Sequence, residues 1–290
     1  MIKTIKKVAA IHDLSGFGRS SLTAIIPVLS TMGVQVCPVP TAILSNHTGG
    51  FEHFSFVDLT DSLENYIDQW KKLELEFDCI YSGFLGSEKQ IKIVEDFIGY
   101  FKREDNLVVV DPVMGDNGSL YSTMGPAMIG EMRRLIGMAD IITPNFTEAA
   151  FLLNRPYPEY IDDDAAKEWA IQLSEMGPGT VVITSVPDHR DNSDTSVIAY
   201  DRANGVCWKI SCRYIPANYP GTGDTFTSVM IGSLLQGDSL PIALDRGVLF
   251  ISQCIRASYG FNYPKREGVL LERCLDILKA PAVIGAFETL

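Results

Sequence analysis

The feature that most constrains this chain is a repeated switch of hydrophobic period. Short continuous apolar runs, rich in valine and isoleucine, occur at 8–11, 107–110, 141–142 and 181–183. Segments with apolar residues three and four apart lie between them, at 22–32, 59–73, 90–101, 127–135 and 165–173. A run that is apolar at every position reads as a strand buried on both faces, and the intervening period predicts helices that cover those faces. Strand–helix alternation of this kind gives βαβ units and a mostly parallel sheet. A further extended run is expected at 34–44, with Pro38 and Pro40 pointing to an edge or irregular strand. Residues 79–81 lead into Ser82-Gly83-Phe84. Two alternating runs, 195–200 and 206–210, joined through Asn204-Gly205, predict a β-hairpin. Asp61 with Glu64 has capping-box spacing, Ser87 with Gln90 suits a helix cap, and the last eighty or so residues read as mainly helical. No linker, charge block or internal repeat divides the 290 residues, so one domain over 1–290 is expected.

Composition removes several classes of function. The net charge of −12 argues against a nucleic-acid binder or a protein of anionic membrane surfaces. No apolar stretch is long enough to span a bilayer, and the apolar run after the basic start is too short for a signal peptide, so a cytoplasmic protein is expected. The six cysteines form no C-x-x-C pair, which favours reduced, mostly buried thiols over disulfides or zinc.

Polar residues gather just after the expected strands: Asp13, Ser82, Asp111, Asn145, Thr184 and Ser185. Each alone suits a turn, but open α/β sheets bind ligands at the carboxyl ends of their strands, where all of these fall. A separate motif, Gly221-Thr222-Gly223-Asp224, is followed by a helical apolar pattern through Val229, Met230, Ile231, Leu234 and Leu235. Glycines at a helix start bring backbone N–H groups close to a phosphate, and an acid beside them suits proton removal from an attacking hydroxyl. The motif equally suits an ordinary helix start, where an acid is favoured by the helix dipole. No G-x-x-x-x-G-K-[ST] is present. Gly16-Phe17-Gly18-Arg19-Ser20-Ser21 nearly matches a dinucleotide fingerprint, but the acid expected about twenty residues on is missing. Zinc-binding and serine-hydrolase patterns are also absent from the sequence.

Four passages together resemble the ribokinase superfamily, and within it the pyridoxal kinases: Ser45-Asn46-His47-Thr48-Gly49, Ser82-Gly83-Phe84-Leu85-Gly86-Ser87, Asp111-Pro112-Val113-Met114-Gly115-Asp116 and Gly221-Thr222-Gly223-Asp224. Their order and spacing hold over nearly the whole chain. The resemblance implies a ribokinase-like three-layer α/β/α sandwich. It also implies ATP-dependent phosphorylation of the 5′-hydroxymethyl group of a B6 vitamer. Asp224 would be the base, and the N–H groups of Gly221, Thr222 and Gly223 would meet the transferring phosphate. Asp13, His47, Thr48, Gly49 and Phe84 would face the vitamer, with Phe84 offering a ring face. Asp111, Asn145, Glu148, Thr184 and Ser185 would line the ATP side, and Asp111, Asp116 and Glu148 would organise Mg²⁺ directly or through water. Asn145 and Glu148 also have the spacing of a plain capping box. A monovalent cation such as K⁺ and a homodimer are further implications. Residues near Val206 and 248–250 are candidates for the adenine pocket.

Two positions differ from the usual pattern: Asp13 stands where a serine is common, and Phe84 replaces a tyrosine. Both bear on which vitamer is preferred. Hydroxymethylpyrimidine kinases are the alternative with the same chemistry. They typically carry cysteine at the position of Asp224, so the acid favours the B6 branch. A non-catalytic vitamin-binding protein on the same fold is the alternative from another class.

Overall fold

The computed structural model describes residues 5–187, 194–213, 215, 218–280 and 285–290; residues 1–4 of the basic start lie outside the described part. Twelve strands are present: β1 (Lys7–Ser15), β2 (Gln35–Leu44), β3 (Phe56–Asp58), β4 (Cys79–Ser82), β5 (Leu107–Val110), β6 (Gly115–Asp116), β7 (Ser119–Leu120), β8 (Ile141–Ile142), β9 (Thr180–Pro187), β10 (Asp194–Asp201), β11 (Val206–Arg213) and β12 (Glu288–Thr289). The helices are α1 (Leu22–Thr31), α2 (Thr60–Lys72), α3 (Glu88–Phe101), α4 (Ala127–Ile136), α5 (Phe146–Leu152), α6 (Asp163–Glu175), α7 (Thr222–Gln236) and α8 (Leu240–Tyr259). All strands but the small β6–β7 pair form one ten-stranded sheet in the order β3-β2-β1-β4-β5-β8-β9-β10-β11-β12. From β2 to β9 the neighbours are parallel, and the antiparallel strands lie at the two ends.

Side-chain alternation along the central strands explains the apolar runs. Ala9 and Ile11 of β1, with Val108 and Val110 of β5, face a core shared with α2 to α6. Val8, Ala10 and Val109 face the opposite core, shared with α1, α7 and α8. Both sheet faces are therefore covered, which gives the α/β three-layer architecture the sequence implies.

Two local expectations differ from what is seen. No Asp61–Glu64 box caps α2: the residue before the helix is Leu59, and Asp58 ahead of it accepts at Oδ1 from the Thr60 N–H at 2.7 Å and also from the Thr60 hydroxyl. The helix starts one residue before Asp61, which puts Asp61 inside the first turn and Glu64 beyond it. The short strands β3 and β12 carry no sequence signal of their own, because they form by adding to sheet edges already present. The Ser87 cap of α3 and the β10–β11 hairpin are seen as expected.

Candidate active site

The carboxyl ends of β1, β4, β5, β8 and β9 bring together Asp13, Ser82, Asp111, Asn145 and Thr184, with α7 starting over them. Gly221 is the residue before the first turn of α7, with φ of 79°, a conformation that favours glycine. A Cβ there would lie 1.9 Å from the Arg19 carbonyl oxygen, so this glycine is needed by the fold itself. Gly223 is different: a Cβ there would meet nothing within 4 Å. Its lack of a side chain is unexplained by protein packing and suits an anion arriving at the positive end of the helix.

Asp224 projects from the first turn of α7, 16% exposed. Its Oδ2 accepts the Ser21 N–H at 2.8 Å, and its Oδ1 lies 4.0 Å from His12 Nδ1. Burial pushes its carboxyl up to about 6, the Ser21 N–H holds it down, and the charge of Asp13 raises it. The result is a carboxylate with enhanced proton affinity, suited to a general base near neutral pH. Asp13 is buried with both oxygens engaged: Ser21 Oγ donates at 2.5 Å and Ser15 Oγ at 2.8 Å. Burial raises its proton affinity, and the two serine hydroxyls oppose that.

His12 is fully buried, edge-on to Tyr81 with ring centroids 4.3 Å apart. Burial pushes its imidazole down to about 3, so it is neutral. Neither ring nitrogen meets hydrogen-bond geometry with another protein group. A Cβ on Gly83 would lie 2.3 Å from the ring, which accounts for the glycine in the second passage. A lone histidine in an apolar strand carries no local signal, so the sequence does not single out His12.

His47 sits in a loop that reaches the same mouth, and both its ring nitrogens meet backbone atoms. Nδ1 accepts the Gly49 N–H at 3.2 Å, and Nε2 lies 2.6 Å from the Arg266 carbonyl oxygen. Gly18 lies under the ring, where a Cβ would be 2.4 Å away, and the Arg266 guanidinium lies over Phe51 at 4.8 Å. His47 therefore ties the loop carrying Thr48 and Gly49 to the 265–267 turn. Phe84 is half-buried against the core beside β4.

On the other side lie the acids of the third passage. Asn145 and Glu148 form a complete capping box at α5. Glu148 Oε2 accepts from the Asn145 N–H at 2.8 Å and Oε1 from the Met114 N–H at 3.0 Å, while Asn145 Nδ2 donates to the Gly115 carbonyl at 2.8 Å. The pair thus ties the Asp111–Asp116 loop to the start of α5. Burial pushes Glu148 up to about 8. It also pushes Asp111 well above the usual carboxylate range, helped by the nearby charges of Glu148 and Asp224. Asp116 is half-buried and raised by burial, with its oxygens accepting from the Asn117 N–H and side chain. Thr184 pairs across to Asn145 at the end of β8, and Ser185 follows it, exposed and with φ of 58°. Among the described residues no Lys or Arg side chain pairs with Asp111, Asp116, Glu148 or Asp224, and no three acidic, histidine or cysteine side chains converge as a ready-made metal cage. Of the adenine candidates at 248–250, Val248 and Phe250 are buried in the packing of α8 against α1 and α7, and Leu249 is half-buried.

A parallel α/β/α sandwich, with a glycine-led helix start and an acid of raised proton affinity over its strand ends, defines a small-molecule kinase of the ribokinase superfamily. Residues 17–269 match the family model for phosphomethylpyrimidine kinase, and the chain belongs to that family. A crystal structure of a candidate phosphomethylpyrimidine kinase from Bacteroides thetaiotaomicron, in a form with pyridoxal, is 55% identical over 99% of this chain and 100% of that one, with a TM-score of 0.96. Pyridoxal kinase from Lactobacillus plantarum is 31% identical, with a TM-score of 0.86 over 95% of this chain and 97% of that one. The pyridoxal kinase PdxY of Corynebacterium diphtheriae is 26% identical over 91% of this chain and 93% of its own length. The kinase class and the likeness to pyridoxal kinases read from the four passages therefore stand. No helix of the described residues is long and apolar enough to cross a membrane.

Proposed function

We propose that this protein transfers the γ-phosphate of ATP to the 5′-hydroxymethyl group of a B6 vitamer. The observation that carries the reading is Asp224: a carboxylate at the positive end of α7, with proton affinity raised to about 6, beside an open glycine amide at Gly223. The hydroxymethyl oxygen gives its proton to Asp224 as it attacks, and the N–H groups of residues 221–223 meet the charge that develops on the phosphoryl oxygens. The substrate assignment is supported by the Bacteroides structure that holds pyridoxal and by the pyridoxal kinase relatives. Asp13, Thr48, Gly49 and Phe84 line the vitamer side. His47 serves there by fixing the loop, since its ring nitrogens are taken. Asn145, Thr184 and Ser185 line the nucleotide side.

Acids at Asp111, Asp116 and Glu148 without a cationic partner fit a divalent cation. With Glu148 committed to backbone donors, Asp111 and Asp116 would hold Mg²⁺ together with phosphate oxygens and water. The ion would neutralise phosphate charge. A K⁺-type cation near the 221–224 motif, a homodimer, a cytoplasmic location and action of residues 1–290 as one unit complete the proposal. A second reading, hydroxymethylpyrimidine phosphorylation, is favoured by the family that the chain matches.

The test is ADP release with ATP and Mg²⁺, comparing pyridoxal, pyridoxine, pyridoxamine and hydroxymethylpyrimidine. Turnover on a vitamer supports the proposal, turnover on the pyrimidine alone selects the second reading, and no turnover on any removes both. Asp224→Asn is expected to cut turnover by about 10²–10⁴ while vitamer binding persists; a binding protein without catalysis would be indifferent.

A further inference from the structure

The Gly16–Ser21 loop, a near match to a dinucleotide fingerprint, ends on Ser21, and Ser21 hydrogen-bonds to both Asp13 and Asp224. It precedes α1, and its carbonyl accepts the N–H groups of Ala24 at 3.0 Å and Ile25 at 2.9 Å. Its φ of 50° with ψ of −135° is an uncommon conformation for a residue with a side chain. Such conformations persist only when the surroundings over-determine them, and they concentrate where a backbone group has to be aimed. Here the surroundings do that. The hydroxyl donates to Asp13 Oδ1 at 2.5 Å, the N–H donates to Asp224 Oδ2 at 2.8 Å, and the segment from Arg19 packs on Gly221 so closely that no Cβ fits between them.

We propose that Ser21 is a positioning residue for the base: its hydroxyl, anchored on Asp13, holds a strained backbone whose N–H orients the Asp224 carboxylate. The inference rests on Asp224 as the base. An aspartate carboxylate rotates freely about two bonds, and a base has to present one lone pair to the attacking hydroxyl. The Ser21 N–H fixes Oδ2 and leaves Oδ1, the oxygen on the His12 side, for the proton. Asp13 thereby acts beyond any contact with substrate, since it is the anchor that makes the strained turn hold.

The test is a double-mutant cycle with a structural readout. Ser21→Gly removes the hydroxyl, relieves the strain and keeps an N–H that is no longer held in place. Turnover is expected to fall about tenfold or more, with KM for the alcohol within about threefold and no loss of melting temperature. Ser21→Ala, which keeps the strain and lacks the anchor, serves equally if the glycine variant folds poorly. In an Asp224→Asn background the same change is expected to cost less than about twofold, because the group it positions is gone. Full activity in the single variant, or an equal loss in both backgrounds, overturns the proposal. If the wild-type protein phosphorylates no alcohol, the kinase reading falls, and crystals of Ser21→Gly decide this inference alone. An Asp224 carboxylate displaced from the residue-21 N–H supports it, and one still within hydrogen-bond distance overturns it.

Discussion

Gly221 and Gly223 stand two residues apart and are glycines for different reasons. At Gly221 both the positive φ and the Arg19 carbonyl, 1.9 Å from any added Cβ, exclude a side chain. Gly221→Ala is expected to destabilise by roughly 1–3 kcal/mol and to push away the segment that carries Ser21, so melting temperature and turnover fall together. At Gly223 the space is open. Gly223→Ala is expected to keep the melting temperature within about 2 °C while losing turnover, because the methyl then occupies the side from which a phosphate approaches. A melting curve and a rate on each variant separate the two. Asp224 also sets a pH dependence. As the proposed base it would act when ionised, and burial pushes its carboxyl up to about 6, so kcat/KM is expected to climb through that pH and level off above it. A profile flat from pH 5 to 8 would remove Asp224 from the role of base.

At the scale of elements, the Asn145–Glu148 box carries two roles that sequence spacing alone left open. It caps α5, and through Met114 and Gly115 it holds the loop of the third passage in place. Its acid has a stability consequence. Glu148 rises from an ordinary 4.5 to about 8, so between those values the folded chain binds a proton that the unfolded chain has lost. Its contribution is fully present below pH 4.5 and is lost as pH rises through 8. Metal-free protein is therefore expected to melt at lower temperature at pH 8 than at pH 5.5. Added Mg²⁺ should recover part of the difference at pH 8, because a cation held by Asp111 and Asp116 would offset the charge of the ionised Glu148 nearby. Thermal scans with and without Mg²⁺ check this, and Glu148→Gln, which cannot ionise, should flatten the trend.

Over the whole molecule, the C-terminal residues close one edge of the sheet. Glu288 and Thr289 pair with β11, the Leu290 N–H donates to the Cys207 carbonyl at 2.9 Å, and Lys167 Nζ donates to the Leu290 oxygen at 2.8 Å. Removing 285–290 leaves β11 as an open edge, and unpaired edges recruit other chains. The truncated protein is expected to melt lower and to scatter more light on standing, with kinase activity per folded molecule retained.

The sequence by itself determined the central strands, most of the long helices and the candidate status of the strand-end residues. Those follow from side-chain period, caps and turn residues, which act within a few positions of each other. It also put forward the residue types for the proposed chemistry, since the 221–224 motif is contiguous. Only the tertiary structure decided which groups serve them. The Ser21 N–H meets Asp224 across 203 residues, and His47 meets the Arg266 carbonyl across 219. His12 has its place only because Gly83, just after β4, leaves room for the ring. Contacts of that span depend on how the layers pack and leave no period or spacing in the chain. The 16–21 loop therefore carries only an imperfect dinucleotide motif in sequence, and its contact with Asp224 exists only because α7 packs against it.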